Sequence, residues 1–151
     1  RLTDVTGVQT CALPISDIFN HNIETVPALF PKARGGGDYA LSLRVLAMAL
    51  ELDPAAITKS GLMLGLGETD AEIREVMTDL LKVGVKLLTL GQYLRPGKWN
   101  LPVEKYYAPE EFERWKETGE AMGFVDVASA PLVRSSYMAD RQAGAVLHRV
   151  R

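Results

Sequence analysis

Residues 57–91, "ITKSGLMLGLGETDAEIREVMTDLLKVGVKLLTLG", constrain the fold more than any other stretch. Ile57 to Leu64 is a largely apolar run without strict alternation, as a strand covered on both faces requires. Gly65, Leu66 and Gly67 turn the chain, and Thr69 with Glu72 forms a capping box. Ile73, Val76, Met77, Leu80 and Leu81 then line one face of a helix. Gly84 stops that helix as a residue just past its end, and Val85 to Gly91 reads as a second strand. A strand, a helix and a strand in this order cannot close as a hairpin. The two strands must be parallel and the crossover right-handed.

The pattern repeats on both sides of this unit. Ile18 and Phe19 read as the end of a short strand that runs into the polar "NHNIET". Gly35 to Gly37 form a loop, and Asp38 caps a helix through about Glu51, with Tyr39, Leu43, Leu46 and Leu50 at helical spacing and Pro54 beyond. After the second strand comes a long loop, "QYLRPGKWNLPVEKYY", of a length that suits function. Pro109 sits at the first position of a helix presenting Phe112, Trp115 and Met122, which Gly123 ends. "FVDVASA" is a further strand, "VRSSY" lies at its C-terminal end, and a short helix is expected through Ala145. The class is α/β, either a parallel layer or a piece of a (β/α) barrel. Such folds keep their chemistry at the C-terminal ends of the strands. Four polar clusters fall there: "NHNIET", "GLGET", "GQY" and "RSSY".

Composition removes several function classes. Hydrophobic residues make up 47% and charged residues 24% of 151, the balance of an ordinary globular domain, so a soluble protein is expected. A net charge of −2 gives no electrostatic footprint for nucleic acid. No apolar run is long enough to form a membrane span. A single cysteine, Cys11, allows no intrachain disulfide and no paired-cysteine metal site, and two histidines make a histidine-rich centre untenable. Residues 1–16, "RLTDVTGVQTCALPIS", show neither helical nor strand period nor the layout of a signal peptide, and are expected to be an extension foreign to the domain.

Each polar cluster admits two readings. The glycines of "GLMLGLGE" would let backbone approach a ligand, with helix N–H groups behind them, yet tight strand-to-helix turns need glycine anyway. "NHNIET" offers amides able to donate and accept, or an Asx-type turn capping a helix at Glu24. "RSSY" places oxygen donors near an arginine, or simply caps a helix.

Taken together, "DIFNHNIETVPALF", "TKSGLMLGLGET", "LTLGQYLRPGKWNLPVEKYYAPEEF" and "MGFVDVASAPLVRSSY" resemble the C-terminal half of the lipoyl synthases, in order and spacing, over roughly residues 17–144. The resemblance implies a radical S-adenosylmethionine enzyme on a partial, TIM-like (β/α)6 barrel. It implies insertion of two sulfur atoms at C6 and C8 of an octanoyl chain borne by a lipoyl carrier domain. Two 4Fe–4S clusters are implied, one that cleaves S-adenosylmethionine and one dismantled as the sulfur source. Gly61, Met63, Gly65 and Glu68 match the family's strand that supports the adenine. Asn20, Asn22 and Glu24 match the polar strand end facing cofactor and substrate, and Lys59, Gln92 and Tyr93 are expected at the same mouth. Ser136 corresponds to the serine that ligates one iron of the auxiliary cluster, with Arg134 as its neighbouring catalytic arginine. An oxygen ligand suits iron in a sulfur-rich cluster less well than thiolate, so it can leave and open the cluster to disassembly.

The sequence also departs from that pattern. The family's two cysteine triplets are absent, and Cys11 lies outside the resemblance. Ala130 and Met138 stand where glycine and histidine are usual, Trp99 and Asn100 where histidine is frequent, and Ala108 where threonine caps a helix. The expected division is an unrelated 1–16, a domain over 17–144 and a tail over 145–151. The implied location is the cytoplasm, or the mitochondrion in a eukaryote, with no membrane or nucleic-acid partner. The rival reading is a non-catalytic α/β binding module that keeps the cofactor-facing shell.

Overall fold

The computed structural model describes residues 18–136 together with 141, 142, 144 and 146. At its centre, β2 (Ile57–Leu64) lies between β1 (Ile18–Asn20) and β3 (Leu87–Gln92), and β4 (Asp126–Ser129) pairs with the far side of β3. All neighbours are parallel, with Ile18 opposite Ile57, Leu64 opposite Gln92 and Leu87 opposite Asp126. Strand order follows chain order, as successive right-handed crossovers produce. Every residue of β3, and all of β2 except Met63, is buried, which is why these runs lack alternation.

The crossovers are helical. After a 3-10 turn (Pro27–Leu29) and a short helix α1 (Phe30–Ala33), α2 (Tyr39–Leu52) leads to β2. Helices α3 (Asp70–Lys82) and α4 (Pro109–Met122) lead to β3 and β4. Their starts follow local chemistry. The Asp38 carboxylate accepts from Leu41 N–H, and Thr69 and Glu72 cap each other's backbone at 2.8 and 3.2 Å. At α4, Ala108 has no capping oxygen, and Glu111 supplies the remaining half by accepting from Ala108 N–H at 2.9 Å.

One face of the sheet, carrying Leu62, Leu64, Leu88, Leu90 and Val127, packs on Ile73, Val76, Met77, Leu80, Phe112 and Trp115 of the helices. Helix α4 comes so close to β4 that a Cβ on Gly119 would stand 2.8 Å from Val127. Ile57 and Leu87 belong to a separate small cluster with Val146. Lys59, Gly61, Met63, Thr89 and Gly91 share their alternation and so face the same way. A four-stranded parallel sheet in sequential order, with the crossover helices on one side, is consistent with part of an α/β barrel.

Two strands begin later than the sequence suggests: β3 starts at Leu87 rather than Val85, and β4 at Asp126 rather than Phe124. The cause is the way both preceding helices end. Gly84 and Gly123 take φ of 86° and 127°, and the next residue's N–H reaches back to the helix. Val85 N–H donates to Leu80 at 3.0 Å and Phe124 N–H to Gly119 at 3.2 Å. These are Schellman closures, in which the apolar residue after glycine folds onto the helix. Val85 and Phe124 are each 2% exposed, so they are buried as helix stops before the strand begins.

Of the helix expected through Ala145, residues 141, 142, 144 and 146 are described and helical. Residues 1–17 and 137–140 lie outside the described residues, and with them the foreign extension and Met138. Among the described residues no helix is long and apolar enough to cross a membrane.

Candidate functional site

The C-terminal ends of β2 and β3 frame a cavity of about 200 Å³. That is below the ~300–1,000 Å³ of an ordinary small-molecule site, and the described residues supply its wall. The wall is built from three segments.

The first follows β1. Asn20 ends that strand, exposed and level with Lys59. The chain then stays beside β2: Glu24 N–H donates to Gly61 at 3.0 Å, and Met63 N–H donates to Glu24 at 2.8 Å. No helix begins at Glu24, contrary to the turn-and-cap alternative. Its φ is 74°, the only left-handed non-glycine among the described residues, at a cost of about 1 kcal/mol. Backbone strain of this kind concentrates at functional positions. Asn22 lines the cavity beside it, and Arg34 donates to the Asn22 carbonyl at 3.2 Å. The Asn22 Oδ1 is buried without a partner, in the space that a Cβ on Gly61 would invade at 2.9 Å. Gly61 thus leaves room for that amide, which a side chain there would push aside. His21 is half-buried; burial and then Arg34 push its imidazole below the usual range, with Glu24 opposing, so it stays neutral near pH 7.

The second segment is the inner face of β3. Thr89 Oγ1 is buried, unpartnered and on the cavity wall. Sequence reasoning missed it, although one hydroxyl inside "LLTLG" was the available signal. Gly91 admits the third segment: a Cβ there would stand 2.5 Å from the Val133 carbonyl.

The third segment is the turn after β4. Ala130 N–H donates to Leu90 and Gln92 N–H to Pro131, each at 3.2 Å, folding the turn over the end of β3. Arg134 and Ser135 reach the wall, while Ser136 is exposed beyond it. Lys59 holds this turn from below: its Nζ donates to the Ser135 carbonyl at 2.8 Å and to Gln142 Oε1 at 2.5 Å. Gln142 in turn donates to Asp126 at 2.8 Å. Lys59 is 2% exposed, and burial lowers its ammonium pKa, with Asp126 opposing. It does not line the cavity; it positions the serine turn.

Gly65, Glu68, Gln92 and Tyr93 build the neighbouring loop. The Glu68 carboxylate accepts from Gly65 N–H at 2.6 Å, Leu66 N–H at 2.9 Å and Tyr107 O–H at 3.0 Å. Burial, then Glu68, raises the Tyr107 phenol well above its ordinary range and keeps it a donor. Gln92 accepts from Tyr107 N–H at 2.9 Å and donates to Lys105 at 3.0 Å. Tyr93 O–H donates to Leu101 at 2.9 Å. Of these four only Gln92 also lines the cavity, where it joins Gly61 and Met63. The role of Tyr107 was not legible in the sequence, because its partner Glu68 is 39 residues away.

No family model matches the chain. Curated relatives do. It is 58% identical to the lipoyl synthase of Syntrophotalea carbinolica over 89% of its own length and 43% of the relative's. It is 56% identical to the lipoyl synthase of Rubrobacter xylanophilus over 83% of itself and 39% of the relative. It is also 56% identical to that of Thioalkalivibrio sulfidiphilus over 87% and 41%. The chain thus spans about two fifths of the length of the curated relatives it matches. Identity at this level, sustained over more than four fifths of the chain each time, makes it a member of the lipoyl synthase family.

Proposed function

We propose that this chain supplies one wall of a lipoyl synthase active site, its four strands belonging to a six-stranded partial barrel of the radical S-adenosylmethionine type. The complete protein would insert two sulfur atoms at C6 and C8 of an octanoyl chain carried by a lipoyl domain, in the cytoplasm of a bacterium. One observation carries the reading beyond sequence likeness. The serine turn is laid across the end of β3 and anchored by Lys59, next to two buried polar atoms that lack partners, Asn22 Oδ1 and Thr89 Oγ1.

Those atoms fit a polar ligand. An orphaned amide oxygen calls for a donor, and a hydroxyl can serve as either. S-adenosylmethionine offers amino and ribose groups of that kind, and Gly61 leaves the space for them. Asn22, Thr89 and Glu24 would hold it, with Met63 giving an apolar contact. When bound with its cluster, it supplies the radical that activates unreactive C–H bonds. Arg134, at the rim, would neutralise a carboxylate or a cluster's charge.

A 4Fe–4S cluster does not fit the described residues alone. Among them no three His, Cys, Asp or Glu side chains come together. Ser136 would give one oxygen ligand to a set whose thiolates come from elsewhere. With one cysteine, the chain by itself is expected to be inactive.

Grafting tests the reading. Residues 17–144 replace the matching part of a working lipoyl synthase, and lipoylation of an octanoylated carrier domain is measured. Lipoyl product from the graft, and none from the chain alone, is expected. A folded, cluster-loaded graft that cleaves S-adenosylmethionine but makes no lipoyl group would contradict it.

A further inference from the structure

The loop after β3 presents a side chain that the chemistry above does not use. Trp99 is 91% exposed, although tryptophan is normally among the more buried residues. Its position is not the result of a loose loop. Arg95 donates to the Asn100 carbonyl at 2.9 Å and to the Lys98 carbonyl at 2.5 Å, and Asn100 N–H closes on Gly97 at 3.0 Å. The backbone of the turn is pinned from within, and the indole stands out from it. Lys98 lies over the indole ring at 5.2 Å.

Trp99 stands on a groove of about 320 Å³ floored by Leu66, Tyr93 and Leu101, with Lys32 on the opposite bank. The groove shares Met63 and Leu94 with the cavity of the proposed active site, so the two adjoin at these side chains. The charged side chain lining it is Lys32, and Lys98 stands against the Trp99 ring, so both charges placed at the groove are positive.

An exposed aromatic anchor flanked by two lysines, adjoining the proposed active-site mouth, has the composition of a protein-binding hot spot. We propose that this face docks an acidic protein, with Trp99 as the anchor and Lys32 and Lys98 as the steering charges. On the functional reading above, on which this point rests, that protein is the octanoylated carrier domain. The carrier delivers its acyl chain past Leu94 and Met63. Complementary charge of this kind governs encounter rate and orientation, and it weakens with salt.

The test is binding, which needs no turnover. The full chain is titrated with a purified octanoylated lipoyl carrier domain of net negative charge, following acrylamide quenching of tryptophan. The chain has two tryptophans, and Trp115 is 1% exposed, so quenching reports Trp99. Docking should shield Trp99, weaken as salt rises, and lose about tenfold or more in affinity with Trp99→Ala. Lys32→Glu with Lys98→Glu should weaken it and flatten the salt dependence. None of these exposed side chains supports the core, so circular dichroism should not change. Carrier binding that is indifferent to all three substitutions would overturn the docking face and leave the proposed activity standing. Shielding of Trp99 by raised concentration of the chain alone, with no effect of the carrier, would overturn it in favour of self-association. Failure of the graft to make lipoyl product with this docking intact would instead count against the activity.

Discussion

Two polar clusters sit side by side at the C-terminal end of the sheet, and they differ in how they are satisfied. Around Glu68 the buried side chains are partnered: one carboxylate takes three hydrogen bonds, and Gln92 uses both ends of its amide. Around Asn22 and Thr89 two buried oxygens have no partner, and Glu24 beside them is strained. A closed network holds a loop in place. An open one leaves interactions unmade in the protein, available to something else. On the proposed function, the contrast would separate residues that build the site from residues that would face a ligand, although both were singled out by their position at strand ends.

Substitution should show that difference in stability. Glu68→Ala strands two backbone N–H groups and a phenol in a buried place, and should cost about 3 kcal/mol or more in denaturant unfolding. A cost below about 1 kcal/mol would mean that the loop is not held by this carboxylate. Lys59→Met should cost less, about 1 kcal/mol. It orphans the Ser135 carbonyl and the Gln142 amide oxygen but also relieves a buried ammonium of its desolvation. Its sharper signature is local: amide exchange at Ser135 and Ser136 should accelerate while that of β2 and β3 holds. Uniform acceleration across the sheet would make Lys59 a core residue rather than an anchor of the turn.

The open cluster should respond in the opposite sense. Thr89→Val removes a buried hydroxyl that has no partner, so stability should be unchanged or higher by up to about 1 kcal/mol. A clear loss would reveal a partner for that oxygen and erase the contrast. A smaller effect comes from pH. The His21 imidazole is held below its usual range, so the unfolded chain takes up the proton first as pH falls. Stability should therefore be complete above about pH 6.5 and decline below it. His21→Gln should flatten that decline; an unchanged profile would assign it to other groups.

How much of this was legible in the sequence follows from how local each feature is. Asp38, the Thr69–Glu72 box, Pro109 and the stops at Gly84 and Gly123 are set within a few residues, and the structure places them as read. The parallel order follows from the same punctuation. Val85 and Phe124 misled because an apolar residue after a stop glycine has the same composition whether it starts a strand or closes a helix. The division of labour at the site was not legible. Glu68 meets Tyr107 across 39 positions, and Lys59 meets Ser135 across 76. No local pattern tells a carboxylate facing a ligand from one folded back on its own loop. Family likeness marked both kinds alike.

Ser136 puts the account to its most direct test. It is exposed and directly follows Ser135, whose carbonyl Lys59 anchors. In the grafted enzyme, Ser136→Ala is measured for lipoyl product and for S-adenosylmethionine cleavage in the same reaction, with Ser135→Ala as comparison. Product should fall by about tenfold or more, as for loss of a group that tunes a metal centre, while cleavage persists and Ser135→Ala stays milder. If the serine only caps a helix, the substitution would cost about 0.5–2 kcal/mol of stability. A folded Ser136→Ala enzyme with undiminished sulfur insertion would contradict the reading of this turn as part of the chemistry.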